Sequence, residues 1–134
     1  MRFVLAVPHG AHITRAYVQF AVEQAHTEAT VVSIEGEASD NAPAFVNTSH
    51  NIVNRLRTLN HVSWTLPAWP TAGVAGLDQR TPDLSAVIQE IVDRSGWASG
   101  NRLVLIVTGS GIHPALSFEG KAAAAPLLHV EYAQ

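Results

Sequence analysis

Apolar and polar residues alternate with a period of two over much of the chain, the spacing of a pleated strand with one buried face. In Ile13–Val22, Ala16, Val18, Phe20 and Val22 fall on one face, with Arg15, Tyr17 and Gln19 on the other. Thr30–Glu37 repeats the pattern, with Val32 and Ile34 inward and Ser33, Glu35 and Glu37 outward. Phe3–Val7 is a short apolar run closed by Pro8, His9 and Gly10, which reads as strand then turn. Leu103–Thr108 is apolar on both faces and predicts a central strand. His61–Thr65, with Trp64, and Ala115–Phe118 and Leu127–Tyr132 supply further short strands.

One segment follows the helical period instead. Leu84, Val87, Ile88, Ile91 and Val92 sit on the i, i+3, i+4, i+7, i+8 stripe and predict an amphipathic helix over Pro82–Arg94. Thr81 is placed as its N-cap, Pro82 suits the first helical position, and Asp83 favours the positive end of the dipole. Arg94 falls in the last turn, and Gly96 is placed as a left-handed cap. Ile52, Val53 and Leu56 in Ser49–Arg57 fit two helical turns or an irregular loop. Ser39–Ala44 carries turn residues, Gly109–Gly111 turns the chain, and the alanine-rich Lys121–Ala125 reads as a loop. Between Pro67 and Gly76, Pro and Gly residues surround Trp69 in what reads as an ordered surface loop.

Roughly six or seven short strands punctuated by turns, with one inserted helix, predict a mainly β, antiparallel β-sandwich. Strict βαβ alternation is absent, which argues against a doubly wound parallel sheet. At 134 residues the chain is expected to form one domain over residues 1–134.

Composition narrows the function. Charged residues make up 14% and the net charge is −3, without a basic run, so nucleic acid is a poor match. The low charge fraction points to a large core or to apolar surface meeting a partner. There are no cysteines, which removes thiol catalysis, disulfides and cysteine-ligated zinc. The apolar run after Met1 is too short for a signal sequence, and no stretch approaches the ~20 apolar residues of a membrane span. The chain is thus assigned to the cytoplasm by default, with no membrane partner.

Seven histidines raise the question of metal. His9 and His12 are separated by two residues within a turn, but zinc needs three or four ligands in fixed geometry. They read as solvent-facing turn residues, and His26, His50, His61, His113 and His129 as ordinary polar positions, so neither a metal nor a cofactor is assigned. Glu35 and Glu37 share a strand face, as a carboxylate pair or as any solvated sheet face does. Gly109-Ser110-Gly111 lacks the preceding Gly of a nucleophile elbow and the Lys of a phosphate loop. No catalytic residue is assigned. Trp64 and Trp97 read as core, whereas Trp69 and Tyr17 read as exposed, flat amphipathic surfaces on which a sugar ring stacks.

Several segments carry a family resemblance. Met1-Arg2-Phe3 through Val7-Pro8-His9-Gly10-Ala11-His12-Ile13, then Ala16-Tyr17-Val18-Gln19-Phe20, resembles a stretch of a jelly-roll module of large secreted bacterial proteins. That module is similar to carbohydrate-binding β-sandwiches. Ile34-Glu35-Gly36-Glu37, Val62-Ser63-Trp64, Pro67-Ala68-Trp69, Thr81-Pro82-Asp83-Leu84, Gly96-Trp97, Gly100-Asn101 and Ala125-Pro126-Leu127-Leu128 fit in the same order. The likeness implies a jelly-roll-like sandwich and a non-catalytic module binding a glycan or another extended polar ligand. Trp69, Tyr17, Arg15, Gln19, Glu35 and Glu37 are the ligand-binding candidates. Strands that precede the segment matching Met1–Phe3 in such modules have no counterpart here. That implies an open sheet edge and a homo-oligomer covering it. A structural domain for assembly is the alternative function, and a small enzyme, with convergent histidines and carboxylates in a deep pocket, the third.

Overall fold

In the computed structural model, which describes Met1–Gln134, six strands form two antiparallel sheets with one α-helix between their ends. The strands are β1 (Arg2–Val4), β2 (His12–Gln19), β3 (Thr30–Glu37), β4 (Arg57–Leu66), β5 (Arg102–Ser110) and β6 (Leu127–Ala133). The larger sheet has the order β1-β5-β3-β4, and β2 pairs with β6 in the smaller one. The fold is mainly β, as the alternation predicts. β5 is indeed internal, and its doubly apolar sequence has a physical reason. Leu103 and Leu105 enter the main core, whereas Val104 and Ile106 pack on the opposite face with Ala42.

The main core lies between the sheets. Ile13, Ala16 and Val18 of β2 face Ile34 of β3, Trp64 and Leu66 of β4, and Leu103 and Leu105 of β5. The helix α1 (Ser85–Val92) closes one end with Val87, Ile88, Ile91 and Val92, all buried. Its stripe is the one the sequence predicts, but its start is not. Thr81 does not cap it: the Thr81 hydroxyl accepts from the Val18 N–H at 3.0 Å, and Asp83 accepts from the Ala16 N–H at 2.9 Å. The Thr81 and Leu84 N–H groups donate back to the Val18 and Ala16 carbonyls. Residues 81–84 therefore run as a strand-like edge along β2, and helical geometry begins only at Ser85. Gly96 is not left-handed either; Gly100, with φ +92°, takes that conformation.

Gly36 sets how closely α1 approaches β3. A Cβ there would lie 2.7 Å from Ile91 Cδ1, 3.0 Å from Thr58 Cγ2 and 3.2 Å from Val87 Cγ1. Only a residue without a side chain lets the helix seat its apolar stripe on this strand.

Other boundaries differ. β1 stops at Val4, β4 is ten residues long rather than a brief strand, and Ala115–Phe118 contributes only the isolated bridge Val22–Ala115. The Ser49–Arg57 region forms turns, and Ala122–Ala124 is a 3-10 turn.

Candidate functional site

The chain opens on the side where β1 is short. β1 pairs with β5 only as Arg2–Val104, Phe3–Leu103 and Val4–Arg102. The Met1 amine then donates to the Leu105 carbonyl at 2.8 Å, and the Leu105 N–H donates to the Met1 carbonyl at 2.9 Å. Burial, and next the nearby Arg55 charge, hold that amine below its ordinary value of 8.0. Beyond Leu105, β5 has no neighbour on this side.

Beside that edge lies a cavity of about 380 Å³ lined by 15 residues, 12 of them hydrophobic. Its depth is aromatic. Trp64 and Trp69 are buried, with ring centroids 6.3 Å apart, and Phe20 stacks on Trp64 at 6.0 Å. Val32 and Leu66 join this floor. At the rim, Phe45, Ile52 and Val107 are each at least 42% exposed.

Strand pairing explains the floor. Val32 of β3 is opposite Trp64 of β4, so both project from one face. Trp69 is brought beneath them by reciprocal backbone hydrogen bonds with His26, at 2.8 and 2.7 Å, and by its indole N–H donating to the Asp78 carbonyl.

The polar features of the cavity are Thr30 and His113. The His113 Nε2 lies 3.1 Å from the Pro67 carbonyl, which can only accept, so this nitrogen carries the hydrogen. In the neutral imidazole Nδ1, 3.0 Å from the Thr30 hydroxyl, then accepts from it. The ring also meets Trp69 edge-on, with centroids 4.9 Å apart. A hydroxyl held against an imidazole has the outline of a nucleophile and base, but a neutral carbonyl takes the orienting position and no carboxylate lines the cavity. The arrangement can hold an apolar body and meet a polar atom at one wall.

Two segments hold the rim. Residues 43–56 are organised around Arg55, whose guanidinium meets the Glu37 carboxylate at 2.6 Å with both side chains below 10% exposure. Arg55 also donates to the carbonyls of Pro43, Ala44 and Asn51 and to the Asn51 side chain. Its guanidinium stacks on Phe45, 4.7 Å from the ring centroid. The opposite rim, Gly111–Ala115, is tied down by the His113 contacts and the Val22–Ala115 bridge.

The six residues singled out in the sequence do not form one site. Trp69, expected on an exposed loop, is 1% exposed and belongs to the core. Its loop is pinned from within. Glu37, expected on a solvated face, is buried against Arg55 because the 43–56 loop covers that face of the sheet. A register shift separates Glu35 from Glu37, and each has its own arginine; Glu35 meets Arg57 at 3.0 Å. Trp64 and Trp97 are core, as read from the sequence.

Arg15, Tyr17 and Gln19 do come together, on the outer face of the β2-β6 sheet. Tyr17 is opposite His129, and their rings stack at 4.7 Å. Arg80, from the segment bordering β2 on its other side, lies 4.2 Å from the Tyr17 centroid and donates to the Gln19 side-chain Oε1. Arg15 reaches Glu131 at 3.8 Å. This face is a platform of paired groups.

Nothing in the sequence marks Thr30, His113, Phe20, Phe45 and Ile52 as site residues. No family model, no curated protein and no solved structure matches this chain.

Proposed function

We propose that this chain is a non-catalytic binding module whose ligand enters the aromatic-floored cavity beside the β5 edge of the large sheet. The observation that carries this reading is the cavity itself. At about 380 Å³ with 12 apolar residues among its 15 lining ones, it has the size and lining of a small-ligand site. The rim is apolar on both sides, so a ligand gains by removing Phe45, Ile52 and Val107 from water. Thr30 and His113 supply the polar contact that orients it.

The experiment is a fluorescence titration with 1-anilinonaphthalene-8-sulfonate, competed by 1-hexanol. Wild type binds one equivalent, and 1-hexanol displaces it. Ala115→Leu fills the cavity from its half-buried wall and weakens binding by about tenfold or more. Weak binding at many sites, indifferent to Ala115→Leu, contradicts the reading.

A second reading, for a glycan or another extended polar ligand, draws on the carbohydrate-binding-like resemblance and on the platform of Arg15, Tyr17 and Gln19. It requires a sugar to displace Arg80 or His129 from Tyr17, because both rest on that ring. A glycan array in which hits disappear with Tyr17→Ala would favour it. Assembly through the open side is the remaining reading, and light scattering at micromolar concentration tests it.

A further inference from the structure

The outer face of the β2-β6 sheet carries a guanidinium that the fold positions and leaves with unpaired donors. Arg80 lies against the Tyr17 ring, and its Nε donates to Gln19 Oε1 at 3.1 Å. Gln19 is itself fixed. Its Nε2 donates to the carbonyls of Gly76 at 2.8 Å and Phe20 at 3.2 Å, which turns Oε1 toward Arg80. Tyr17 is held in turn by the stacked His129 ring.

Stacking uses the flat face of a guanidinium and leaves its in-plane N–H groups free to bond. The terminal nitrogens of Arg80 donate to no group of the fold, and none of the ion pairs includes this residue. A second guanidinium shares the ring, with Arg15 Cζ 5.3 Å from the Tyr17 centroid. Arg15 reaches Glu131 only at 3.8 Å, too far for a hydrogen bond, and the same Glu131 oxygen accepts from His129 Nε2 at 2.9 Å.

We propose that Arg80 and Arg15 bind the phosphate group of a small phosphate monoester. The site is separate from the cavity, which none of Arg15, Tyr17, Gln19, Arg80 and His129 lines. The terminal N–H groups of Arg80 bond two phosphate oxygens as a fork, and Arg15 supplies the second charge. A monoester carries about two negative charges at pH 7, which two guanidiniums match; a carboxylate leaves one of them unmatched. An uncharged sugar must displace Arg80 or His129 to reach the Tyr17 ring. A phosphate binds the outer edge of the fork and leaves the stack intact. Polyanionic surfaces are a poorer match. Nucleic acid and anionic membranes are held by clusters of Lys and Arg, and here Glu131 stands beside the two arginines in a chain of net charge −3.

The test is a titration with glycerol 3-phosphate at constant ionic strength, followed in proton–nitrogen correlation spectra that include the arginine Nε–H signals. The Arg80 Nε–H and Tyr17 backbone signals shift saturably. Sodium chloride does not reproduce the shifts, and acetate binds severalfold more weakly. Arg80→Lys keeps the charge but loses the fork and the Nε–H that Gln19 holds, so binding read at the Tyr17 signal weakens about tenfold. Arg15→Gln, at an exposed position, weakens it about threefold. An unchanged Trp97 indole signal shows that both variants are folded. The naphthalene dye, as the small probe of the cavity, binds both as it binds wild type.

Shifts that grow linearly without saturation overturn the site, as does saturable binding that neither substitution weakens. Equal affinity for acetate and glycerol 3-phosphate overturns the assignment to phosphate. Binding to phosphatidic acid vesicles without binding to glycerol 3-phosphate assigns the face to a membrane and contradicts the proposal. Each of these outcomes leaves the cavity reading standing, because the small probe judges that reading separately.

Discussion

The Glu37 carboxylate and the Arg55 guanidinium meet at 2.6 Å beneath the 43–56 loop, each almost wholly out of water. This pair joins the sheet to the rim of the cavity, because the same arginine holds the carbonyls of Pro43 and Ala44 and stacks on Phe45. Removing one member strands a buried charge. Arg55→Ala therefore costs about 3–5 kcal/mol, measured by denaturant unfolding. Where the protein remains folded, the loop becomes the first site of limited proteolysis and the small probe binds more weakly. An Arg55→Ala protein with wild-type stability and an intact loop contradicts this account.

Gly36→Ala drives a methyl group into the contact between α1 and β3. Overpacking of this kind costs about 1–3 kcal/mol. The nearest obstruction is Ile91 Cδ1, and Ile91→Val removes that atom. In thermal unfolding, the double variant loses less stability than the sum of the two single ones. Strict additivity means that the methyl group clashes elsewhere.

Trp69→Ala acts on the whole fold rather than on ligand binding alone. A buried tryptophan truncated to alanine costs about 3–5 kcal/mol, enough to unfold a marginal domain. Circular dichroism shows the loss directly. A stable, well-folded Trp69→Ala protein indicates that the ring sits on the surface after all.

Two carboxylates couple the helical end of the sandwich to acid. Burial alone would raise Glu90, but the Asn60 and Leu59 N–H groups and the Asn60 side chain, with Arg94 nearby, bring it below its ordinary 4.5. For Asp83 burial is likewise outweighed, by the Ser85 hydroxyl, the Ala16 and Ser85 N–H groups and Arg15, which bring it below 3.8. A carboxyl with a lower pKa folded than unfolded contributes stability that is complete above the unfolded value. That stability is lost as pH falls through the folded value. Stability therefore declines below pH 4.5 and further below 3.8. In Glu90→Gln the slope in this acid range is shallower, while the two proteins run parallel near neutral pH.

Much of the fold is legible in the sequence because burial on one sheet face writes a period of two. Ala16 and Val18 in β2, Ile34 in β3 and the doubly apolar β5 follow from that rule. The helical stripe is equally plain. Its start is misread because Thr81, Pro82 and Asp83 carry capping chemistry, whereas the structure uses Thr81 and Asp83 to satisfy β2. A local signal cannot say which backbone group a hydroxyl will meet.

The cavity is harder to read for the same reason. Phe20, Val32, Phe45, Trp69, Ile106 and His113 come from separate segments, and no spacing links them. Trp69 is misjudged because proline and glycine around it suggest an exposed loop; its bonds to His26 and Asp78 are long-range and fold it inward. Glu37 is misjudged because strand alternation describes one sheet and not the loop lying over it.

The three indole N–H groups provide the most direct test, because they report on different places. Trp64 and Trp69 floor the cavity, whereas Trp97 donates to the Val7 carbonyl in another part of the core. In a proton–nitrogen correlation spectrum titrated with 1-hexanol, the Trp64 and Trp69 indole signals shift in a saturable manner and Trp97 stays in place. Uniform shifts of all three, or none, contradict a ligand site beside the β5 edge.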